Sequence, residues 1–268
     1  MNALDTYNLY SPALSLVPLV ALVALVSAFL VGLLGFAVKT AIGGRPRTER
    51  VAQQGGSILL NEYLMEYGLW LFRPIARACV RLNLHPDVLS WTSLALQLAA
   101  AAGIATGYFG LGGWLLLLGA MCDSLDGAVA RMRGLSSDSG ELLDATVDRW
   151  SEMALFFAYA WYYRNMPIGF ALAAASCIGS VMVSYARAKG EAMGIDLKIG
   201  LMQRHERAVY LCGATLISAI GVRFWEPDDP HPRHYVLLAS LALIALLSNI
   251  TAIQRFAIIR AELRKKGR

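Results

Sequence analysis

Apolar residues in this chain fall in long blocks, not in the alternation of a half-buried strand or the one-sided stripe of a soluble helix. The blocks lie near 13–38, 88–107, 111–130, 142–164, 167–186, 206–222 and 234–258. Each approaches the roughly 20 residues that a helix needs to cross a bilayer, some only across polar interruptions. Seven membrane-spanning helices are therefore predicted. The first block, PALSLVPLVALVALVSAFLVGLLGFAV, is too long for the apolar part of a secretory signal, and no basic residue precedes it. It reads as a membrane anchor. Residues 40–56 are rich in Gly, Arg and polar groups and read as a linker. Residues 57–83 return to helical spacing, with Leu60, Leu64, Tyr67 and Leu71 on one face and Arg73, Arg77 and Arg81 at four-residue steps. Aromatic and leucine residues beside basic ones predict a helix lying in the membrane interface, bent or split at Pro74.

Composition agrees with the pattern. Of 268 residues, 57% are hydrophobic and 16% charged, against about 25% charged in soluble domains. The fold class is all-α integral membrane. Residues 1–56 form an N-terminal transmembrane helix with a cytoplasmic linker, and residues 57–268 a single membrane domain.

Charge fixes the orientation. Lys39, Arg45, Arg47, Arg50, Arg73, Arg77 and Arg81 follow the first block; Arg131 and Arg133 follow the third. Arg187, Lys189, Lys198, Arg204 and Arg207 come next, and the C-terminal end adds Arg255, Arg260, Arg264, Lys265, Lys266 and Arg268. An alternating seven-span arrangement puts these 20 of the 24 Lys and Arg residues on one side, which is the cytoplasmic side. The net charge of +5 is juxtamembrane and suits anionic lipid head groups or phosphorylated substrates, not nucleic acid. Cys79, Cys122, Cys177 and Cys212 match no metal or redox spacing and read as small packing residues.

The stretch with chemistry in it is DSLDGAVARMRGLSSDSGELLDATVD, residues 123–148. Asp123, Asp126, Asp144 and Asp148 stand at the ends of two apolar helices, where a carboxylate facing lipid costs ~2.5–3.5 kcal/mol. They must face the protein interior or water, and they need cations. On a helix, Asp123 and Asp126 lie about 60° apart and ~4.5 Å along the axis; Asp144 and Asp148 lie about 40° and ~6 Å apart. Gly140 precedes them on the same face. Two such pairs on antiparallel helices predict an all-oxygen site for Mg²⁺, Mn²⁺ or Ca²⁺. Four carboxylates suffice for two ions ~3.5–4 Å apart, the arrangement that clamps the oxygens of a phosphoryl transfer. Gly127 lets a ligand approach the backbone, Ala130 keeps that face shallow, and Arg131 offers a planar fork for phosphate. A cation transporter using the same aspartates is the reading from another class, and it leaves the Gly127–Arg131 element without a purpose.

This stretch resembles the signature of the CDP-alcohol phosphotransferase family, D-x2-D-G-x2-A-R followed by G-x3-D-x3-D. Asp123, Asp126, Gly127, Ala130, Arg131, Gly140, Asp144 and Asp148 fill every position. The resemblance extends over roughly residues 57–260 and implies a six-helix core behind an interfacial amphipathic helix, with the block at 13–38 as an addition. It implies that the four aspartates bind two divalent ions, usually Mg²⁺, and that Asp126, Gly127, Ala130, Arg131 and Gly140 hold the CDP group. Asp148 is implied to be the general base for an acceptor hydroxyl that attacks a CDP-lipid such as CDP-diacylglycerol and expels CMP. A homodimer in contact with membrane lipids is implied as well.

A second basic cluster bears on the acceptor. It reads SYARAKGEAMG from 184 and GLMQRHERAVYL from 200. Ser184, Arg187, Lys189, Arg204 and Arg207 are the candidate contacts for an acceptor that carries a phosphate, whereas inositol or serine would need fewer cations. The two segments are similar to the phosphatidylinositol-phosphate synthase branch, with its S-Y-x-K-A-R-A-E-A and E-R-P-E-R. Here Arg187 and Lys189 are exchanged, Gly190 replaces alanine, and Gln203 and His205 depart from the pattern. Inositol 1-phosphate is the expected acceptor and glycerol 3-phosphate the alternative. Asp87, after Pro86, is expected to cap the helix that begins there.

Overall fold

The computed structural model describes residues 12–44, 62–195, 200, 202–226 and 231–266. Eight helices lie among them: α1 (Pro12–Gly43), α2 (Glu62–Arg81), α3 (Pro86–Ala105), α4 (Phe109–Arg133), α5 (Asp138–Tyr162), α6 (Pro167–Ala192), α7 (Arg204–Trp225) and α8 (Tyr235–Lys265). Each predicted span is a helix, and α2 stands where the interfacial helix was expected. Leu60, Arg45, Arg47, Arg50, Lys198 and Arg268 lie outside the described residues. Among the described residues, five helices are long and apolar enough to cross a membrane by themselves: α1 (through Val26–Gly43), α3, α4, α6 and α8. Among the others, α5 carries Asp138, Glu141, Asp144, Asp148, Arg149 and Glu152, and α7 carries Arg204, Glu206, Arg207 and Arg223. Of those, Asp144, Asp148, Glu152, Arg204 and Arg207 belong to the acidic cluster or to ion pairs beside it.

Helices α3 to α8 form a closed ring, in which α3 packs on α4, α4 on α7, α7 on α8, α8 on α6, α6 on α5 and α5 back on α3. Small residues and hydroxyls do the packing that the hydrophobic effect cannot do in lipid. A Cβ on Gly119 would come 2.6 Å from Gln97 Cγ on α3, and one on Gly179 would come 3.0 Å from the Asn249 nitrogen on α8. Ser93 donates to the Gly119 carbonyl at 2.9 Å, Ser176 to that of Leu241 at 2.9 Å, and Tyr159 meets Thr215 at 2.6 Å. Phe109, Leu116, Leu155, Phe156, Leu216 and Leu241 fill one half of the ring. That half is closed off by Tyr162 and Tyr163, whose hydroxyls donate to the carbonyls of Pro232 and Arg233 at 2.7 and 2.8 Å. Trp91, Leu98, Phe157, Trp161, Ile178 and Leu246 point outward, as lipid-facing positions should. The aspartates take the other half.

Helices α1 and α2 stand outside the ring, with α2 against α4 and α1 against α2 and α7. Two local expectations change. Pro74 lies inside α2 without dividing it. Its ring is exposed, and the turns around it are anchored: Tyr67 is buried against α1, while Ala76 and Cys79 pack on Leu125 and Val129 of α4. Asp87 is not the cap of α3. His85 is, with its Nδ1 accepting the Asp87 N–H at 3.3 Å, and Pro86 takes the first helical position where its missing N–H costs nothing.

Candidate metal and phosphate site

The aspartates are brought together by how two helices end and begin. Gly134, at φ +66°, terminates α4 in the left-handed conformation, with Leu135 N–H bonded to the Ala130 carbonyl at 2.9 Å and Gly134 N–H to that of Arg131 at 3.3 Å. Three residues later Ser137 caps α5, its Oγ accepting the Gly140 N–H at 3.2 Å. The chain therefore reverses within one short turn, and the C-terminal half of α4 faces the N-terminal half of α5. Both helices pack on α3 far more extensively than on each other. A cleft stays open between them, and α3 forms its floor.

Carboxylate oxygens of Asp123, Asp126 and Asp144 all lie within 4.8 Å of one another. Asp126 is buried, and Ser90 of α3 donates to its Oδ2 at 2.5 Å. Three hard oxygen donors converging in an otherwise apolar bundle fit a divalent cation. Asp148 is buried beside them, but its carboxylate is turned to Arg204 of α7, which also reaches Asp123 at 3.4 Å. The structure thus joins three of the four predicted metal ligands in one cluster and sets the fourth against both Asp123 and an arginine.

The remaining residues of the signature stand on the same two helices. A Cβ on Gly127 would come 3.1 Å from Nη1 of Arg131, so the glycine gives room to the guanidinium folded across it. Ala130 is half-buried and Arg131 exposed. For Gly140, the contact that a Cβ would make is with Ser137 Oγ at 3.4 Å. Packing alone leaves space for a side chain there.

The five candidate acceptor contacts are not gathered at one point. Arg204 faces the aspartates. Arg207, one turn on, is fully buried and grips Glu152 of α5 in a two-pronged pair at 2.6 and 3.0 Å. Ser184 is half-buried on α6. Arg187 is exposed and paired with Glu191 at 2.8 Å. Lys189 is exposed too and borders an apolar groove of about 770 Å³ between α6 and α8, with Tyr185 and Phe256. Gln203 and Glu206 shape the start of α7, where Glu206 accepts the Gln203 N–H at 2.7 Å; His205 is half-buried in that first turn.

Three residues of the site escape a reading by motif: Ser90, Glu152 and Arg255. Arg255 is buried on α8 and donates to the Val183 carbonyl of α6 at 3.0 Å, with Arg187, Arg207 and Glu191 as its charged neighbours. Gly200 lies against it, for a Cβ there would come 3.1 Å from Arg255 Nη2. Charges inside apolar spans were the available signal for Glu152 and Arg255. Nothing in its sequence context marks Ser90.

Comparison with known proteins places the chain in a family. Residues 83–252 match the family model described as CDP-alcohol phosphatidyltransferase. The chain is 31% identical over 200 residues to the phosphatidylinositol phosphate synthase of Cutibacterium acnes, covering 71% of this chain and 92% of that one. It is 33% identical over 192 residues to the enzyme of the same name from Mycobacteroides abscessus, covering 70% and 82%. Among solved structures it is similar to the Mycobacterium tuberculosis phosphatidylinositol phosphate synthase with CDP-DAG bound, at 29% identity and a TM-score of 0.59 over 69% of this chain and 92% of that one. The same enzyme in complex with manganese and citrate gives a TM-score of 0.60, also at 29% identity, over 69% and 87% of the two chains.

Proposed function

The chain belongs to the CDP-alcohol phosphatidyltransferase family, a metal-dependent enzyme embedded in the membrane, and we propose that its substrates are CDP-diacylglycerol and inositol phosphate. The product is a phosphatidylinositol phosphate, made at the cytoplasmic face with release of CMP. The single observation behind this reading is the convergence of Asp123, Asp126 and Asp144 beside the Gly127–Arg131 element.

In this reading Arg131 takes the diphosphate of the CDP group by a planar two-pronged contact, and Gly127, Ala130 and Gly140 leave the cleft shallow enough for the nucleotide. A divalent ion, magnesium or manganese, held by Asp123, Asp126 and Asp144 supplies neutralisation of the diphosphate and a better CMP leaving group. Two ions would draw on Asp148 as well. Asp148 accepts the proton of the acceptor hydroxyl, whose oxygen bonds to the lipid-linked phosphorus as the bond to the CMP oxygen breaks. Arg204, which pairs with Asp148 and reaches Asp123, holds that carboxylate in position at the mouth of the acceptor side.

Support for a phosphorylated acceptor comes from the cations that continue away from Arg204. Arg207 and Arg255 are buried, and Arg187 is a neighbour of Arg255. Buried arginines at a cytoplasmic helix end suit a phosphomonoester better than a neutral polyol. The two relatives above carry the corresponding product in their names, phosphatidylinositol phosphate synthase. Ser184 and Lys189 complete the candidate contacts, and two copies of the chain form the working unit, as the resemblance implies.

The test is an assay of CMP release from CDP-diacylglycerol with inositol 1-phosphate, inositol, glycerol 3-phosphate or serine as acceptor. Turnover is expected with inositol 1-phosphate. If only glycerol 3-phosphate reacts, the acceptor assignment is wrong while the phosphatidyl transfer stands.

A further inference from the structure

Helix α1 precedes the segment that matches the family model, yet it is closely fitted to α2. Phe36 is fully buried, with its ring centroid 5.2, 5.7 and 5.6 Å from those of Tyr63, Tyr67 and Trp70. Tyr67 donates its hydroxyl to the Phe29 carbonyl at 2.7 Å. Gly32 allows that approach, since a Cβ there would come 2.5 Å from the Tyr67 oxygen. These contacts set the register of the two helices and bring Lys39 of α1 over Trp70, 5.7 Å from the ring centroid.

Lys39 thereby meets Arg73 and Arg77. With Trp70, Leu71 and Pro74 they line a cavity of about 270 Å³ between the helices. Three cations around so small a space repel one another, and like charges four residues apart on a helix are unfavourable. Among the described residues none of the three has a carboxylate partner. All three are exposed, so their combined charge is open to an anion. The cavity is smaller than the ~300–1,000 Å³ of sites for drug-sized ligands, which suits a head group and not a whole lipid.

Location decides between a lipid and a free anion. The opposite face of α2 packs Ala76 and Cys79 on Leu125 and Val129, the neighbours of Asp126, so the cavity lies at the aspartate end of the bundle. Val31, Leu34 and Val38 of α1 are exposed and offer an apolar surface along which acyl chains can lie. A free phosphate has no use for that surface. We propose that the α1–α2 cavity binds the phosphate of an anionic phospholipid, and that α1 is present to build this site.

The test uses the full chain in detergent, titrated with dioleoyl phosphatidylglycerol and, separately, with dioleoyl phosphatidylcholine, followed by thermal shift. The wild type should bind the anionic lipid and not the zwitterionic one. Each basic residue near a membrane surface is worth about a fivefold change in affinity. The variant Lys39→Gln, Arg73→Gln, Arg77→Gln should therefore bind on the order of a hundredfold more weakly. A control that removes charge from the end of α8 outside both cavities, Lys265→Gln, Lys266→Gln, should stay within about twofold of wild type. Equal weakening in the control, or none in the test variant, overturns the proposal. Displacement of the lipid by equimolar inorganic phosphate overturns the lipid assignment. Should the triple variant fail to fold, Arg77→Gln alone carries the test, with about a fivefold loss expected. Both variants should keep CMP release, so failure here is separate from failure of the acceptor assignment.

Discussion

Ser90 shows how much of the site depends on a residue with no charge. Its hydroxyl donates to Asp126 Oδ2 at 2.5 Å from a different helix, which fixes the carboxylate that lies deepest in the cleft. Outer contacts of this kind are worth about 10–100-fold in metal affinity or activity. Ser90→Ala should therefore leave the fold intact and raise the Mn²⁺ concentration for half-maximal CMP release by about tenfold or more; an unchanged metal curve would leave Ser90 a packing residue. The aspartates themselves were legible, because a carboxylate in an apolar span needs a reason. Asp148 was only half legible. Its spacing from Asp144 put it on the right face, but spacing on one helix says nothing of an arginine arriving from another.

At the scale of the helices, Arg207 and Glu152 join α7 to α5 across 55 residues of sequence, with Arg207 fully buried. Removing one partner of such a pair costs about 3–5 kcal/mol, because a charge is left buried alone, whereas replacing both with apolar groups is often neutral. Glu152→Ala should lower the unfolding midpoint in detergent sharply, and Glu152→Leu with Arg207→Met should restore most of it. Equal destabilisation by both would mean that the pair does not hold the two helices together. The helices of the core were legible in the hydropathy pattern because the bilayer fixes their length, and five of the described helices are long and apolar enough to cross it by themselves. The order of the ring was not legible, since α4 meets α7 and α6 meets α8 through glycines and hydroxyls that look like ordinary helix residues in sequence. Nor could the sequence place Arg207, which reads as one more cytoplasmic basic residue until Glu152 is seen opposite it.

For the molecule as a whole, the polarity of the ring carries the functional reading. One half is apolar and closed by tyrosines, and the other holds the aspartates and Arg204. The orientation proposed from the positive-inside pattern turns the second half toward the cytoplasm. In whole cells an impermeant maleimide should label Arg164→Cys, at the α5–α6 turn, and should reach Ser136→Cys, at the α4–α5 turn, only after the membrane is permeabilised. The reverse pattern would invert the molecule. The most direct test of the central claim, that the aspartate cleft performs metal-dependent phosphatidyl transfer, is CMP release from CDP-diacylglycerol and inositol 1-phosphate by wild type and by Asp144→Asn of matched unfolding midpoint. The wild type should turn over with Mg²⁺ or Mn²⁺ and stop on chelation, and Asp144→Asn should fall by at least about a hundredfold with its outer structure intact. Full turnover by the variant, or by the wild type in excess chelator, would contradict the account.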